Sequence, residues 1–329
     1  MLEDLIEERR HKLKKYSNEL NPFPAKVKRT FLITEISKSF NFLARKKRQV
    51  YIVGRLRILR DQGGIIFTQI EDESGRTQAV FNKKETKNFN LLKKTIDIGD
   101  FLEVGGTLFK TKRGEKSILV KKARIISKTL RPIPTEWFGL VDQETKLRQR
   151  YLDLILNPEV REFFVKKSLF WNSVRIFFNK TGFLEVETPI LQSVPGGADA
   201  EPFITHHNAL NTDFYLRISL EIPLKKLLVA GYEKVFEIGR IFRNEGIDRE
   251  HLQDYTQMEC YWAYADYEDM MKLVEGLYKQ VIKKTFNTFK IKNGVHLINW
   301  GRVWPKIDYY QIFKKEAGLD LNKATSADL

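Results

Sequence analysis

The stretch FEIGRIFRNEGIDREHLQDYTQMECYWAY, residues Phe236–Tyr264, decides the fold of the region around it. Valine, isoleucine and phenylalanine dominate residues 235–242, a charged loop with one glycine covers 244–254, and an alternating run resumes at Tyr255. This pattern predicts two strands joined as a hairpin with a long connection. Side chains alternate between the two faces of a strand. The polar and aromatic face is predicted to hold Tyr255, Gln257, Glu259 and Tyr261, and the core face Thr256, Met258, Cys260 and Trp262.

The residue types on the polar face suit one chemical task. Tyr255 offers a flat ring on which a base can stack, and Glu259 with Tyr261 offers acceptors for a cation. Arg243, at the end of the first strand, carries a fixed fork of donors that suits a phosphate or a carboxylate. The simpler alternative is a set of surface ion pairs, which contribute little to stability. Together the residues predict a site for a nucleotide beside a small cationic substrate.

Five segments resemble one known family. FRNEG, the histidine-containing loop and YTQMECYWAYADY resemble motif 2 of class II aminoacyl-tRNA synthetases, specifically the lysyl-tRNA synthetases. TGFLEVETPIL (Thr181–Leu191) is similar to motif 1, and Pro195–Arg240 is similar to the segment between the two motifs. LFKTKRGEKSI and LRQRYLDL, further upstream, also resemble this family, so the likeness extends over nearly the whole chain.

The resemblance implies a role for each residue of an ATP site. Arg243 matches the motif 2 arginine, which contacts both the α-phosphate of ATP and the carboxylate of the amino acid. Glu245 matches the residue that accepts a hydrogen bond from the adenine amino group, and His251 matches the loop histidine near the phosphates. Tyr255 takes the position of the ring that stacks on adenine, where the family commonly has phenylalanine. The implied reaction needs no protein nucleophile, because positioning and charge neutralisation suffice.

The resemblance also implies a lysine site and a dimer. Glu259 and Tyr261 match positions at the side-chain ammonium of lysine, and Glu221 with the backbone of Gly196–Gly197 matches positions near its α-amino group. A desolvated ammonium needs such acidic partners. Pro189, the last residue of motif 1, is expected at the interface of a homodimer.

Composition agrees with a nucleic-acid partner. The 329 residues have a formal net charge of +15, and the first 60 contain 16 Lys and Arg against 6 Asp and Glu. Such an excess favours a polyanion, and the family implies tRNA-Lys, although a solvated basic face is the simpler interpretation. No long apolar run or apolar N-terminal signal region occurs, so we expect a cytoplasmic protein without membrane contact. The single Cys260 excludes an internal disulfide.

The chain is predicted to be an α+β protein with an N-terminal OB-fold barrel and a class II antiparallel-sheet domain. Helices are expected over 2–20, 33–43, 157–182 and 265–286, with Met270, Val274, Leu277 and Val281 inward in the last. Five short alternating runs between 49 and 127 predict the barrel. The predicted domains are a helical extension (1–47), the OB-fold (48–127), a linker (128–145) and the catalytic domain (146–329).

An OB-fold binds single-stranded nucleic acid by stacking bases on aromatic side chains over a basic face. Phe67, outward on its strand, and Gln78 on the next strand form the best pair for stacking and hydrogen bonding. The family match implies that these two residues read the central uridine of a lysine anticodon. Arg55 or Arg57 is expected to contact phosphate or base.

Motif 3 of the family, with a second ATP-binding arginine, has no counterpart before Leu329. The acidic residues that hold Mg²⁺ in relatives are likewise expected beyond Leu329, so no metal ligand is predicted in this chain. The sequence therefore predicts an incomplete catalytic domain that does not activate lysine at a useful rate alone. Lysine-dependent ATP–pyrophosphate exchange by these 329 residues would contradict that prediction.

Two departures from the family pattern and three alternatives accompany this interpretation. Glu201 stands where relatives usually carry a basic residue, and the loop reads HLQDY where HNPEF is common. An aspartyl or asparaginyl enzyme of the same subclass is one alternative, but acidic Glu221 and Glu259 disfavour it. A non-catalytic tRNA-binding fragment is the second. A paralogue that lysylates elongation factor P is the third, and residues 48–127 disfavour it because that family lacks the anticodon domain.

Overall fold

The computed structural model describes residues 2–134, 142–246, 248 and 250–325. The chain divides into two compact units, Met1–Asn157 and Pro158–Leu329. The boundary between the units therefore lies after Asn157, whereas the catalytic domain was predicted to begin at residue 146. The LRQRYLDL segment belongs to the first unit. Within the predicted linker, residues 135–141 lie outside the described residues.

The first unit is a closed five-stranded barrel with helices at its margins. Its strands follow the order β1-β2-β3-β5-β4, in which only the β3–β5 pair is parallel. The barrel and its strands match the prediction, but the single helix expected over 33–43 is two short helices that meet at Ser39. The elements are α1 (Leu2–Ser17), α2 (Ile33–Lys38), α3 (Phe40–Arg45), β1 (Gln49–Asp61), β2 (Ile65–Glu71), β3 (Arg76–Asn82), α4 (Phe89–Thr95), β4 (Phe101–Lys110), β5 (Lys116–Ser127), α5 (Gln143–Arg148) and α6 (Arg150–Leu156).

Helix α1 is anchored to the barrel by buried polar contacts. The hydroxyl of fully buried Tyr16 accepts a hydrogen bond from the backbone N–H of Ile125 at 2.9 Å. The ammonium of Lys128, whose side chain is also buried, donates to Asp100 at 2.8 Å, and Lys12 of α1 pairs with Asp97 at 2.8 Å. A buried charge is tolerated when it is paired and hydrogen-bonded. These contacts make α1 part of the barrel unit.

The second unit is built around the predicted hairpin. Strand β10 pairs with β11 antiparallel and with β6 parallel, while β7, β9 and β8 form a separate small sheet. The elements are α7 (Pro158–Lys180), β6 (Leu184–Glu185), β7 (Leu191–Gln192), β8 (Ile204–His207), β9 (Thr212–Leu216), α8 (Glu221–Val229), β10 (Lys234–Phe242), β11 (Asp254–Trp262), α9 (Tyr267–Phe286), β12 (Lys290–Asn293), β13 (His296–Asn299) and α10 (Tyr309–Ala317).

Helices α7 and α9 cover the core face of the hairpin. Phe178 of α7 stacks on Phe236 of β10 with ring centroids 4.8 Å apart. Helix α9 begins after Asp266, whose carboxylate accepts from two backbone N–H groups, as an N-cap does. The predicted inward position of Val274 is wrong, because Leu273 is 9% exposed and Val274 36%. In the described part of the chain, no helix is long and apolar enough to cross a membrane.

Candidate ligand-binding site and nucleic-acid interface

The register of the hairpin places the predicted polar residues on one face. Glu237 lies opposite Glu259, Gly239 opposite Gln257, and Ile241 opposite Tyr255. The predicted alternation is confirmed. Met258, Cys260 and Trp262 pack on the core shared with α7 and α9, whereas Tyr255 and Tyr261 pack against the cluster of Leu220, Leu224, Val235 and Ile241.

Arg243 and Tyr255 lie together at one end of this face. The Arg243 Nε donates to the backbone oxygen of Ile218 at 3.4 Å, and its guanidinium carbon is 5.8 Å from the centroid of the Tyr255 ring. The backbone N–H of Arg243 donates to the oxygen of Gln253 at 2.9 Å, which closes the base of the loop. A guanidinium held beside a half-buried aromatic ring can bind an anionic group next to a stacked base.

The loop residues Glu245 and His251 are exposed. The Nδ1 of His251 lies 2.6 Å from Asp248 Oδ2, and its backbone N–H donates to Asp248 Oδ1 at 2.7 Å. The backbone N–H of Glu250 and the His251 ring lower the pKa of the Asp248 carboxyl. The described hydrogen bonds of His251 are therefore with Asp248, and neither Arg243 nor Glu259 shares them.

Glu259 is the centre of the opposite end of the site. Its Oε1 accepts from Ser219 Oγ at 3.1 Å, from the backbone N–H of Leu220 at 3.0 Å and from Gln257 Nε2 at 2.6 Å. Its Oε2 accepts from the Tyr261 hydroxyl at 3.3 Å. Burial and the negative charge of Glu259 raise the pKa of Tyr261, so the phenol stays protonated and remains a donor at neutral pH.

Glu221 and Gly197 lie beside this carboxylate. Glu221 is the first residue of α8, and its Oε1 pairs with Lys225 at 2.6 Å. Gly197 has a φ of +87°, and a Cβ there would come within 3.0 Å of both the Glu221 Cβ and the Ser219 Oγ. The structure thus brings together Gly197, Glu221, Glu259 and Tyr261 of the predicted lysine site. Gly196 has more space, since its Cβ would lie 3.8 Å from Ile222.

A buried ion pair on the same face of the hairpin was not predicted from the sequence. Arg217, 2% exposed, donates to Glu237, also 2% exposed, at 2.6 Å. The other oxygen of Glu237 accepts from the Thr188 hydroxyl at 2.7 Å, and Arg217 Nε donates to the oxygen of Arg240 at 2.9 Å. The pair ties the segment before Pro189 to strand β10. Glu237 and its arginine are 20 residues apart and belong to no local pattern that could have indicated the pair.

A large cavity in the second unit lies away from Arg243 and Glu259. It has a volume of about 1060 Å³ and is lined by Pro189, Gly196, Ile222, Lys226 and further residues of 184–195 and 214–232. Neither Arg243 nor Glu259 lines it. We therefore place the candidate chemistry by the polar contacts on the hairpin and not by cavity size.

In the barrel, Phe67 and Gln78 line a common cavity of about 250 Å³ together with Arg60, Arg76 and Glu115. The Gln78 amide donates to Ser117 Oγ at 2.8 Å, which orients it. A ring and an amide in one basic hollow suit a single base.

Arg55 is not part of this hollow. One of its guanidinium nitrogens donates to the oxygen of Gly99 at 3.2 Å, and the guanidinium carbon lies 4.3 Å from the centroid of the Phe101 ring. The alternative Arg57 pairs with Glu71 at 2.9 Å. The basic residues that line the hollow are instead Arg60, near the end of β1, and Arg76, the first residue of β3.

Comparison with family models identifies both units. Residues 142–326 match the model described as tRNA synthetases class II (D, K and N), and residues 50–126 match that of the OB-fold nucleic acid binding domain. The second match agrees with the predicted OB-fold barrel.

Curated relatives agree with this family. A lysine–tRNA ligase of Roseiflexus sp. (strain RS-1) is 42% identical over 315 residues, which cover 94% of this chain and 64% of the relative. That of Halalkalibacterium halodurans is 42% identical over 97% of this chain and 65% of the relative. That of Clostridium botulinum (strain Langeland) is 44% identical over 97% of this chain and 64% of the relative. The chain spans about 64% of the length of these relatives.

Proposed function

Since this chain belongs to the class II tRNA synthetases of the D, K and N group, we propose that it serves lysine–tRNA ligation. The proposed reaction activates lysine with ATP to lysyl-adenylate and then transfers the lysyl group to tRNA-Lys. The relatives named above, which carry the name lysine–tRNA ligase, support the choice of amino acid.

The proposed chemistry is positioning and charge neutralisation. The carboxylate of lysine attacks the α-phosphorus of ATP, and pyrophosphate leaves. Arg243 binds the α-phosphate and the attacking carboxylate, so that it lowers the charge repulsion between the two reactants. Tyr255 stacks on the adenine, Glu245 accepts from its amino group, and His251 lies near the phosphates. The contact between Arg243 and the Tyr255 ring supports a base and an anion bound side by side.

One observation carries the proposal for lysine as substrate. Glu259 is half-buried and accepts four hydrogen bonds, but no described lysine, arginine or histidine forms an ion pair with it. A carboxylate held in this way without an internal ion pair is a favourable partner for a cationic ligand. The side-chain ammonium of lysine meets that need, with Tyr261 beside it. Glu221 and the Gly196–Gly197 backbone take the α-amino end. An aspartate or asparagine side chain would bring no positive charge to Glu259.

The barrel is proposed to bind the anticodon of tRNA-Lys. Phe67 stacks on the central base and Gln78 hydrogen-bonds its edge, since both line one hollow. Arg55 is proposed to support the fold of the adjacent loop through Gly99, and Arg60 and Arg76 to supply the positive charge at the base.

Magnesium accompanies ATP in the family, but the described residues do not form a site for it. No group of three or more His, Cys, Asp or Glu among them could hold a metal ion. We assign no step to the metal. We further propose a cytoplasmic homodimer with Pro189 at its interface. The two exposed apolar side chains that follow this proline, Ile190 at 42% and Leu191 at 46%, support such a contact.

Binding measurements with this chain test the proposed function. Calorimetric titrations with L-lysine, L-aspartate and L-asparagine are expected to show binding of lysine alone. Glu259→Gln is expected to abolish it, because the amide carries no charge. Preferred binding of aspartate or asparagine would support the alternative enzymes of the family. Binding of tRNA-Lys that weakens with salt, without lysine binding, would support a purely RNA-binding role.

A further inference from the structure

The two oxygens of the Glu259 carboxylate have unequal surroundings. Oε1 accepts three hydrogen bonds, at 3.1 Å from Ser219, 3.0 Å from Leu220 and 2.6 Å from Gln257. Oε2 accepts only that of the Tyr261 hydroxyl, at the long distance of 3.3 Å, among the described residues. Because each carboxylate oxygen accepts about two strong hydrogen bonds, Oε1 is saturated and Oε2 retains capacity for a ligand.

Ser219 is the residue that joins this carboxylate to the rest of the site. Its hydroxyl donates to Glu259 and accepts from the backbone N–H of Glu221 at 3.1 Å, so both of its roles are used. It also contacts the position of Gly197, where an added Cβ would approach Ser219 Oγ to 3.0 Å. Ser219 itself is 3% exposed. One buried hydroxyl therefore links the two acidic residues and the glycine of the proposed lysine site.

Among the described residues of this site, Glu259 is the acidic group that forms no ion pair within the protein. Glu221 already pairs with Lys225, and Glu237, opposite Glu259 in the sheet, pairs with Arg217. The carboxylate that selects a ligand cation is then Glu259. The orientation of the Glu259 carboxylate affects ligand binding, because the strength of a charged hydrogen bond depends on its geometry.

We propose that Ser219 is a positioning residue for substrate selection, which rests on the proposed lysine function. Its hydroxyl, with the Leu220 N–H and the Gln257 amide, fixes Glu259 by Oε1 so that Oε2 points to the side-chain ammonium of the substrate. Without this donor the carboxylate can rotate, and a ligand ammonium must order it on binding. The variant therefore loses affinity for ligands with a side-chain cation and keeps its affinity for ligands without one.

The test compares L-lysine with L-norleucine, which has the same side chain without the ammonium, by calorimetric titration of this chain. Ser219→Ala is expected to weaken lysine binding about tenfold, the effect of one hydrogen bond to a charged group. ATP and norleucine affinities should stay within about twofold of the parent protein, so the selectivity for lysine over norleucine falls about tenfold. A general structural defect would weaken all three ligands together.

Ser173→Ala is the matched control. Ser173 is 2% exposed in the same unit, and its hydroxyl donates to the oxygen of Leu169 at 2.7 Å within α7. This variant should leave lysine selectivity unchanged. Gln257→Met removes the 2.6 Å donor from the strand side and is expected to reduce selectivity as Ser219→Ala does. Should Ser219→Ala not fold, Gln257→Met decides the question.

Two contrary results are distinguishable. If the parent protein binds lysine in preference to norleucine and the folded Ser219→Ala variant keeps that preference, the positioning role of Ser219 is wrong and the proposed function stands. If the parent protein does not prefer lysine, the proposed function fails, and the role of Ser219 fails with it.

Discussion

Glu237 and Glu259 lie directly opposite each other in the β10–β11 ladder, but within the described chain only Glu237 has a cation, Arg217, at 2.6 Å. Like charges in directly opposed positions of a sheet destabilise it. Arg217 compensates one of the two carboxylates from inside the protein. Glu259 has no such partner and is available to a cationic ligand. At this pair of residues, a charge that favours ligand binding therefore lowers the stability of the fold.

Removing the uncompensated charge is expected to stabilise the protein while it abolishes lysine binding. Glu259→Gln should raise the free energy of unfolding by about 0.5–1 kcal/mol without ligand, since it ends the repulsion from Glu237. Urea unfolding followed by tryptophan fluorescence measures this, because four of the five tryptophans lie in the second unit. Glu245→Gln, at an exposed loop position, should leave the free energy of unfolding unchanged without ligand. A destabilised Glu259→Gln protein would show that the opposed carboxylates do not repel.

Breaking the buried pair is expected to have the opposite effect. Arg217→Met leaves Glu237 buried without its cation, which costs about 3–5 kcal/mol of unfolding free energy. The same urea experiment measures the loss. Lys272→Met is the control, since it breaks an exposed ion pair with Asp269 in the same unit and should cost less than about 1 kcal/mol. Equal losses in the two variants would contradict the importance of burial.

The absence of a side chain at Gly239 is required by the same ion pair. A Cβ at this position would lie 2.2 Å from a guanidinium nitrogen of Arg217 and 3.0 Å from a Glu237 oxygen. Gly239→Ala is therefore expected to displace Arg217 and to destabilise the second unit by about 1–3 kcal/mol, as overpacking does. Gly246→Ala in the hairpin loop, where a Cβ meets nothing within 4 Å, should leave the unfolding midpoint unchanged.

The single cysteine provides a pH-dependent probe of the core face. Burial, followed by the charge of Glu259, raises the pKa of the Cys260 thiol to about 11. At pH 8 the thiolate fraction is then low, and we expect reaction with a disulfide reagent about two orders of magnitude slower than for an exposed thiol. Urea should restore the ordinary rate. Since the unfolded thiol ionises first, the free energy of unfolding should fall as the pH rises from 9.0 towards about 11.

Fast labelling of native Cys260 at pH 8 would show that the hairpin opens readily or that the thiol is accessible. Cys260→Ser serves as the control for the stability measurement, because its hydroxyl does not titrate in this range and the alkaline loss should become smaller.

The hollow in the barrel predicts an effect on RNA binding that does not depend on salt. Phe67→Ala should weaken binding of a single-stranded oligonucleotide with a lysine anticodon by about 1–3 kcal/mol, the effect of one stacked base, at every salt concentration. Arg76→Gln should instead reduce the salt dependence of binding, because it removes one phosphate-neutralising charge. Filter binding between low and moderate salt separates the two effects. Equal affinity of Phe67→Ala and the parent protein would exclude stacking in this hollow.

The barrel and the hairpin could be predicted because alternation of side chains is a local signal. Each strand carries its own period-2 pattern, and the glycine-containing turns mark its ends. The position of helix α9 in the chain was also predictable, because helical spacing of apolar residues is a local signal. The rotation of the helix about its axis was not. Leu273 and Val274 are adjacent and apolar, and only packing against α7 decides which of them faces inward.

The candidate site was predictable where a motif carries it and not where distant segments meet. Arg243, Glu259 and Tyr261 belong to the two strands of one hairpin. Ser219 and Arg217 come from the connection before α8, and their importance arises only when Glu259 and Glu237 are placed next to them. A serine and an arginine in an otherwise apolar segment give no signal of their own. The RNA contact of Arg55 stays a prediction. The sequence could not show that its guanidinium lies against the Phe101 ring, because the surroundings of a barrel arginine depend on its neighbours across the strand.

Helix α1 is synthesised long before the residues that hold it. The Tyr16 hydroxyl accepts a hydrogen bond from the N–H of Ile125, which lies 109 residues further along the chain. Lys12 pairs with Asp97, which follows the first three strands of the barrel. Such contacts close a long loop and therefore form late. On the ribosome, the hydrogen bond between Tyr16 and Ile125 cannot form until β5 has emerged. A pause in translation shortly after Lys128 would give β5 time to pair in the barrel and to bind Tyr16 before the second unit is synthesised.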